Sequence, residues 1–441
     1  MIEEFVPARR GARFQLGSIE DDGVEGAGMA AGRTLSRYWM LTNDFAQNPY
    51  PVLEYVRREK PVCEVGMPNG GRAWVITRYE DAKAAFNDPR MSRDINVHYE
   101  LMSRQLGRKV TPPPEQANHL ANLEPPRHTP LRRAISFAFT PRRAEAMRPR
   151  IAELADELLD RIDGRGRADL MAAFAVPLPV MAIAELMGAP ADRWPDFIRW
   201  SNAQRDFSPL DAADGELERN VRELSEFMTD LIAEKTRTPG DDLMSALIHA
   251  APERRLTHTE ILSTGFALMS GGNDTTASMM GGVLLTLLTH PRERERIIGE
   301  PDGWTKAMDE LIRYTTPTHN ALHRVTTEPV EIGGVVIPAG EVVIISFLSA
   351  NRDERQFPRC PEKFDIDREK PAHLSFGFGI HYCSGAHLAK VITEVGLQRL
   401  FERFPDIRLA IDPAKVRYQM NILVRTIVDL PVECGKGVAG A

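Results

Sequence analysis

The chain has 441 residues, 43% of them hydrophobic and 27% charged, the balance of a globular protein able to bury a large core. Its net charge of -7 argues against a nucleic-acid binder. A mean hydropathy of -0.29, with no apolar run of about 18 residues, argues against a membrane anchor.

Residues 1–35 are polar and rich in Gly and Ala, without the apolar stretch of a secretory leader. They are expected to form a mobile N-terminal extension, followed by one domain over 36–441. AWVITRY at 73–79 predicts a strand. Met147, Ile151, Leu154, Leu158 and Ile162 recur at helical spacing, and a second such pattern covers about 214–236. Thr257 and Glu260 have capping-box spacing, and no proline follows until Pro291, so a helix of about 30 residues is predicted to cross the core. Residues 330–346 read as strand, turn, strand, and 418–433 as a further hairpin. The fold class is mainly α with small peripheral β-sheets.

Four cysteines, Cys63, Cys360, Cys383 and Cys434, are scattered without a CxxC pair. That excludes a disulfide scaffold and the usual zinc spacings, and it fits a cytoplasmic protein. Cys383 lies in FGFGIHYCSGAHLAK, Phe376 to Lys390, just before an amphipathic helix. A helix N-terminus favours the thiolate. Three readings stand level on this segment: a fixed metal ligand, a buried structural cysteine, and a nucleophile with His381 or His387 as base.

The segment resembles the haem-binding loop of the cytochrome P450 family, FGxGxHxCxGxxLAR. Phe376, Gly377, Gly379, His381, Cys383, Gly385, Leu388 and Ala389 match, and Lys390 replaces the usual arginine. The resemblance covers about residues 45–433. It implies a haem b between the long central helix and the cysteine-loop helix, with Cys383 as iron ligand and Phe376, His381 and Gly385 around it. GGNDTT in the long helix is similar to the family's oxygen-activation motif. Gly271 and Gly272 would let the cofactor approach the backbone, Thr275 would donate a hydrogen bond to dioxygen, and Asp274 would relay protons. Helix packing is the bland account of these glycines, and of Gly281 and Gly282.

Glu310 and Arg313 have i, i+3 spacing, usually a surface pair. The pair resembles the family's ExxR motif, which implies a structural lock, and PEKF at 361–364 resembles the meander segment that completes it, the third partner staying unassigned. His128 and Arg132 are one helical turn apart, by base rate a solvated helix start. By resemblance they bind a haem propionate, as do Arg324 and His381. Substrate contacts are expected from 91–118, 201–212, Leu268 to Thr275, Thr318 to Leu322 and Met420 to Leu423. The polar pair His319 and Asn320 points to hydrogen-bonding groups on the substrate, with ordinary surface residues as the bland account.

The resemblance implies a haem-thiolate monooxygenase that uses dioxygen to hydroxylate a small molecule, a secondary metabolite being the expected substrate. No flavin or iron–sulfur domain fits in the rest of the chain, so electrons are expected from a separate ferredoxin and ferredoxin reductase. Rival readings are oxidative coupling or ring closure at the same cofactor, a peroxide-driven enzyme, and a haem-bearing binding module without turnover. The intact pair Asp274 and Thr275 argues against the last two.

Overall fold

The computed structural model describes residues 36–435, apart from 68–70, 113–116, 137–138, 206–215, 253–254, 370 and 420. The expected extension over 1–35 lies outside the described residues.

The predicted long helix runs from His258 to Thr289, 32 residues. At about 1.5 Å per residue it is roughly 48 Å long. Its start is fixed by the capping box: Glu260 N–H donates to Thr257 Oγ1 at 3.3 Å, and Thr257 N–H donates to Glu260 Oε2 at 2.8 Å. Around it pack the helices Pro177–Met187, Trp194–Arg205, Glu216–Arg237, Gly303–Thr315 and Ala386–Arg403. Met280, Val283 and Leu284 of the long helix share one core cluster with Ile151, Leu154 and Leu158 of Arg148–Asp160 and with Leu400 of the cysteine-loop helix. A Cβ at Gly281 would lie 2.6 Å from Met171 Sδ, and one at Gly282 would lie 3.1 Å from Thr315 Cβ. Both glycines are there for close packing.

The sheets are small and lie beside the helices. The largest runs in the order Val62–Gly66, Arg72–Ile76, Val342–Ile345, Arg324–Thr326, Met91–Ser92. Its central strand joins Trp74 to Val343 in parallel and Arg324 to Val343 antiparallel. The predicted strand–turn–strand at 330–346 is three strands in two sheets. Val330–Ile332 and Val335–Ile337 form a hairpin closed by Gly333 and Gly334 at φ 57° and 78°, and Val342–Ile345 joins the large sheet. The predicted C-terminal hairpin is reduced to a bridge between Tyr418 and Ile427. Pro431–Glu433 pairs instead with Arg167–Asp169 and Arg408–Leu409. Among the described residues, no helix is long and apolar enough to cross a membrane.

Candidate active site

Cys383 sits where a tight loop delivers the chain to the helix Ala386–Arg403. Gly377 and Gly379 take φ 77° and 71°, a conformation that side chains rarely adopt, and the loop closes as Cys383 N–H donates to Phe376 O at 2.9 Å. Burial pushes the Cys383 thiol up, while the Gly385 backbone and the Arg132 charge pull it down. The side chain is nonetheless accessible. Arg132 reaches the same loop, its Nη1 donating to Ser384 Oγ at 2.8 Å. Lys390, where the family has arginine, donates its Nζ to Asp309 Oδ1 and ties the cysteine-loop helix to the lock helix.

On the long helix, Gly271 and Thr275 share a face one turn apart. Thr275 Oγ1 donates to Gly271 O at 2.6 Å, and no neighbour lies within 4 Å of a Cβ built at Gly271. Gly272 differs. Its Cβ would lie 2.2 Å from Ile183 Cδ1, so this glycine lets the long helix pack closely against Pro177–Met187. The Asp274 carboxylate accepts from Ser201 Oγ at 3.3 Å, across to the helix Trp194–Arg205. Ser201 carries no motif; the sequence marks it only as the first residue of the expected substrate-contact segment 201–212.

The four groups expected at the propionates lie on three separate elements, and the fold brings them together. The rings of His128 and His381 are 4.8 Å apart. His381 Nε2 lies 3.4 Å from Glu124 Oε1, a carboxylate that also accepts from Arg93 N–H at 2.8 Å. Arg324 Nη1 donates to Met91 O at 2.7 Å. Burial and the charges of His381 and Arg132 hold His128 down to about 4, so it is neutral at pH 7. His128 Nε2 and Arg324 Nε are buried polar atoms without a partner. Buried donors of this kind call for acceptors. Haem propionates supply them, so these residues fit the group.

Glu310 and Arg313 are a buried pair, 1% and 0% exposed, with Arg313 Nε to Glu310 Oε2 at 2.6 Å and Nη2 to Oε1 at 2.8 Å. Arg313 also donates to the carbonyls of Asn351, Pro361 and Lys363 at 2.9, 2.8 and 3.0 Å. The third partner is Arg368, whose Nε reaches Glu310 Oε1 at 3.2 Å; Lys363 contributes only its backbone. His319 and Asn320 are both buried, which removes the account of them as surface residues. Asn320 Nδ2 donates to Ile422 O, and the backbone of His319 bridges Leu423 and Leu348. These contacts tie the segment to 422–423 and 348, and His319 Nε2 is left a buried polar atom without a partner.

Comparison with known proteins agrees with a thiolate-ligated haem enzyme. The family model "Cytochrome P450" matches residues 304–414. The chain is 40% identical over 396 residues to cytochrome P450 107B1 of Saccharopolyspora erythraea, covering 89% of this chain and 96% of that protein. It is 37% identical over 397 residues to 6-deoxyerythronolide B hydroxylase of the same organism, covering 89% and 97%. Among solved structures, the cytochrome P450 PksS of the Bacillus subtilis bacillaene polyketide synthase superposes with a TM-score of 0.81 at 34% identity, covering 90% of this chain and 99% of that one. The chain belongs to the cytochrome P450 family. It is a monooxygenase with a cysteine-ligated haem b, and it requires dioxygen, a small-molecule substrate and redox partners.

Proposed function

We propose that residues 36–441 act as one catalytic unit that hydroxylates a C–H bond of a secondary metabolite, with Cys383 as iron ligand. The observation that carries this reading is an exposed cysteine, Cys383, at the start of a helix that packs against the long helix bearing Thr275 and Gly271. The bound haem supplies dioxygen binding and reduction. Each turnover then consumes two electrons and two protons, placing one oxygen atom in the product and the other in water. The chain's own task is to deliver those protons and exclude bulk water. Asp274 hands protons inward from a carboxylate steadied by Ser201, and the Thr275 hydroxyl orients the last donor. His128, Arg132, Arg324 and His381 anchor the propionates. The polyketide names of the relatives support a secondary metabolite as substrate. A substrate screen by optical spin-state shift, followed by product mass, tests this. Gain of one oxygen atom is expected, and loss of two hydrogens would replace hydroxylation by oxidative coupling.

Thr275→Ala is expected to bind haem and consume dioxygen but to release much of it as hydrogen peroxide. Asp274→Asn is expected to slow turnover about 10²–10⁴-fold, the usual cost of losing one positioned proton donor. Peroxide and product yields measured together check both. Wild-type coupling in Thr275→Ala would mean that another group orients the proton.

The proposed electron donor is a cytoplasmic ferredoxin with its reductase. Seven arginines between Arg127 and Arg150 suggest a docking face in the sequence, and the structure narrows that group. Arg148 pairs with Glu145 and Glu394, Arg150 with Glu153 and Glu185, and Arg132 turns inward to Ser384. Arg133, Arg142 and Arg143 are exposed, the last two on Pro141–Ala146, which packs against the cysteine-loop helix. Reduction by an acidic ferredoxin should slow steeply with added salt, because steering is screened within about 8 Å at physiological ionic strength. Arg142→Glu should slow it further with substrate affinity unchanged. A stopped-flow reduction rate that ignores both would remove this face from the pathway.

A further inference from the structure

The antiparallel pairing of Met91–Ser92 with Arg324–Thr326 sets Met91 opposite Thr326 and Ser92 opposite Val325. Arg93 follows directly after the last paired residue, and the Arg324 charge acts on it. Like charges repel, and more strongly away from water. Each guanidinium is held down to about 10, Arg324 by burial and Arg93 by burial together with the Arg324 charge. Arg93 cannot swing away, because three anchors fix it. Its Nε donates to Ala121 O at 3.1 Å, its Nη2 to Asn122 Oδ1 at 2.7 Å, and its Nη1 to His323 O.

The surrounding groups do not cancel this charge. Glu124 is the carboxylate that acts on both arginines. His98, His119 and His323 are all pushed down by burial, His119 to about 4 and His323 to about 3, and they stay neutral at pH 7. Two fixed guanidinium charges thus share one carboxylate, beside an Arg324 Nε that has no partner. A fold gains from such an arrangement only if an anion comes to it.

We infer that Arg93 is a further cofactor-anchoring residue, a fixed cation that balances with Arg324 the negative charge of a haem propionate. This rests on the assignment of Arg324 to a propionate made above. Arg93 also braces the strand and the 119–124 loop that position the other donors, so charge and bracing must be separated by the test. The readouts are the rate of haem transfer from the holoenzyme to excess apomyoglobin, and the haem reduction potential. Arg93→Gln should lose haem about tenfold faster, the scale of one charge-assisted contact, and its potential should fall because a positive charge near the added electron is gone. Arg93→Lys keeps the charge and should stay within about twofold of wild type in release, with the potential unchanged.

Equally fast release from the Lys and Gln variants would mean bracing alone and overturn the inference. So would wild-type release and potential in Arg93→Gln when Arg324→Gln loses haem quickly. Slow release from Arg324→Gln would instead overturn the propionate assignment itself. Should Arg93→Gln not accumulate, Arg93→Lys decides. Wild-type release and potential support the inference, and release about tenfold faster overturns it.

Discussion

Cys383→Ala is expected to abolish thiolate ligation completely, with no graded loss. The reduced carbon monoxide complex of the wild type should show the strongly red-shifted Soret band of a thiolate-ligated haem, and the variant should lack it. No other cysteine can substitute. Burial holds the Cys63 thiol up at about 11, Cys434 is buried, and Cys360, though exposed, stands at no helix start. Only Cys383 combines an accessible sulfur, a helix start and a neighbouring guanidinium. Because haem binds the folded chain, its loss should also lower the melting temperature by mass action. A red-shifted band retained in Cys383→Ala would sink the ligand assignment.

The features that could be read from the sequence are those encoded locally. The capping box at Thr257 and Glu260 and the absence of proline before Pro291 predicted the long helix because both act within one segment. The cysteine loop was readable for the same reason, since its glycines, its thiol and its helix lie within fifteen residues. What escaped depends on contacts between distant parts of the chain. Arg368 reaches Glu310 from 58 positions away, and Ser201 reaches Asp274 from 73. Neither stands in a pattern that spacing could mark. Strand partners failed similarly. Pro431–Glu433 has hairpin composition, but its ladder partners are at 167–169 and 408–409, a choice made by the packed helices between them. At Gly272 a glycine on a helix signals close approach without saying by what. Here the answer is Ile183. The burial of His319 and Asn320 was not legible either, because it comes from contacts of their segment with 422–423 and 348.

Glu310→Ala is expected to yield poorly folded protein with little haem. Arg313 is fully buried, and three carbonyls accept from its guanidinium, yet none carries the charge that Glu310 does. Breaking one side of a buried pair costs roughly 3–5 kcal/mol, because the remaining charge is left uncompensated. The effect here belongs at the upper end. Glu310 also receives Arg368 Nε at 3.2 Å and the backbone N–H of Asp365 at 3.0 Å, so its loss strands two guanidinium groups and one amide. Against a typical total stability of about 5–15 kcal/mol, that is a large share. Haem loading should suffer too, since Arg313 pins Asn351, and Asn351 Oδ1 accepts from Leu374 N–H at 2.7 Å, two residues before the loop that carries Cys383. Glu310→Gln keeps the acceptor oxygen and loses the charge, so it should fall between Ala and wild type in melting temperature and haem content. If both variants were soluble, fully haem-loaded and melted with the wild type, the lock would contribute nothing to this fold.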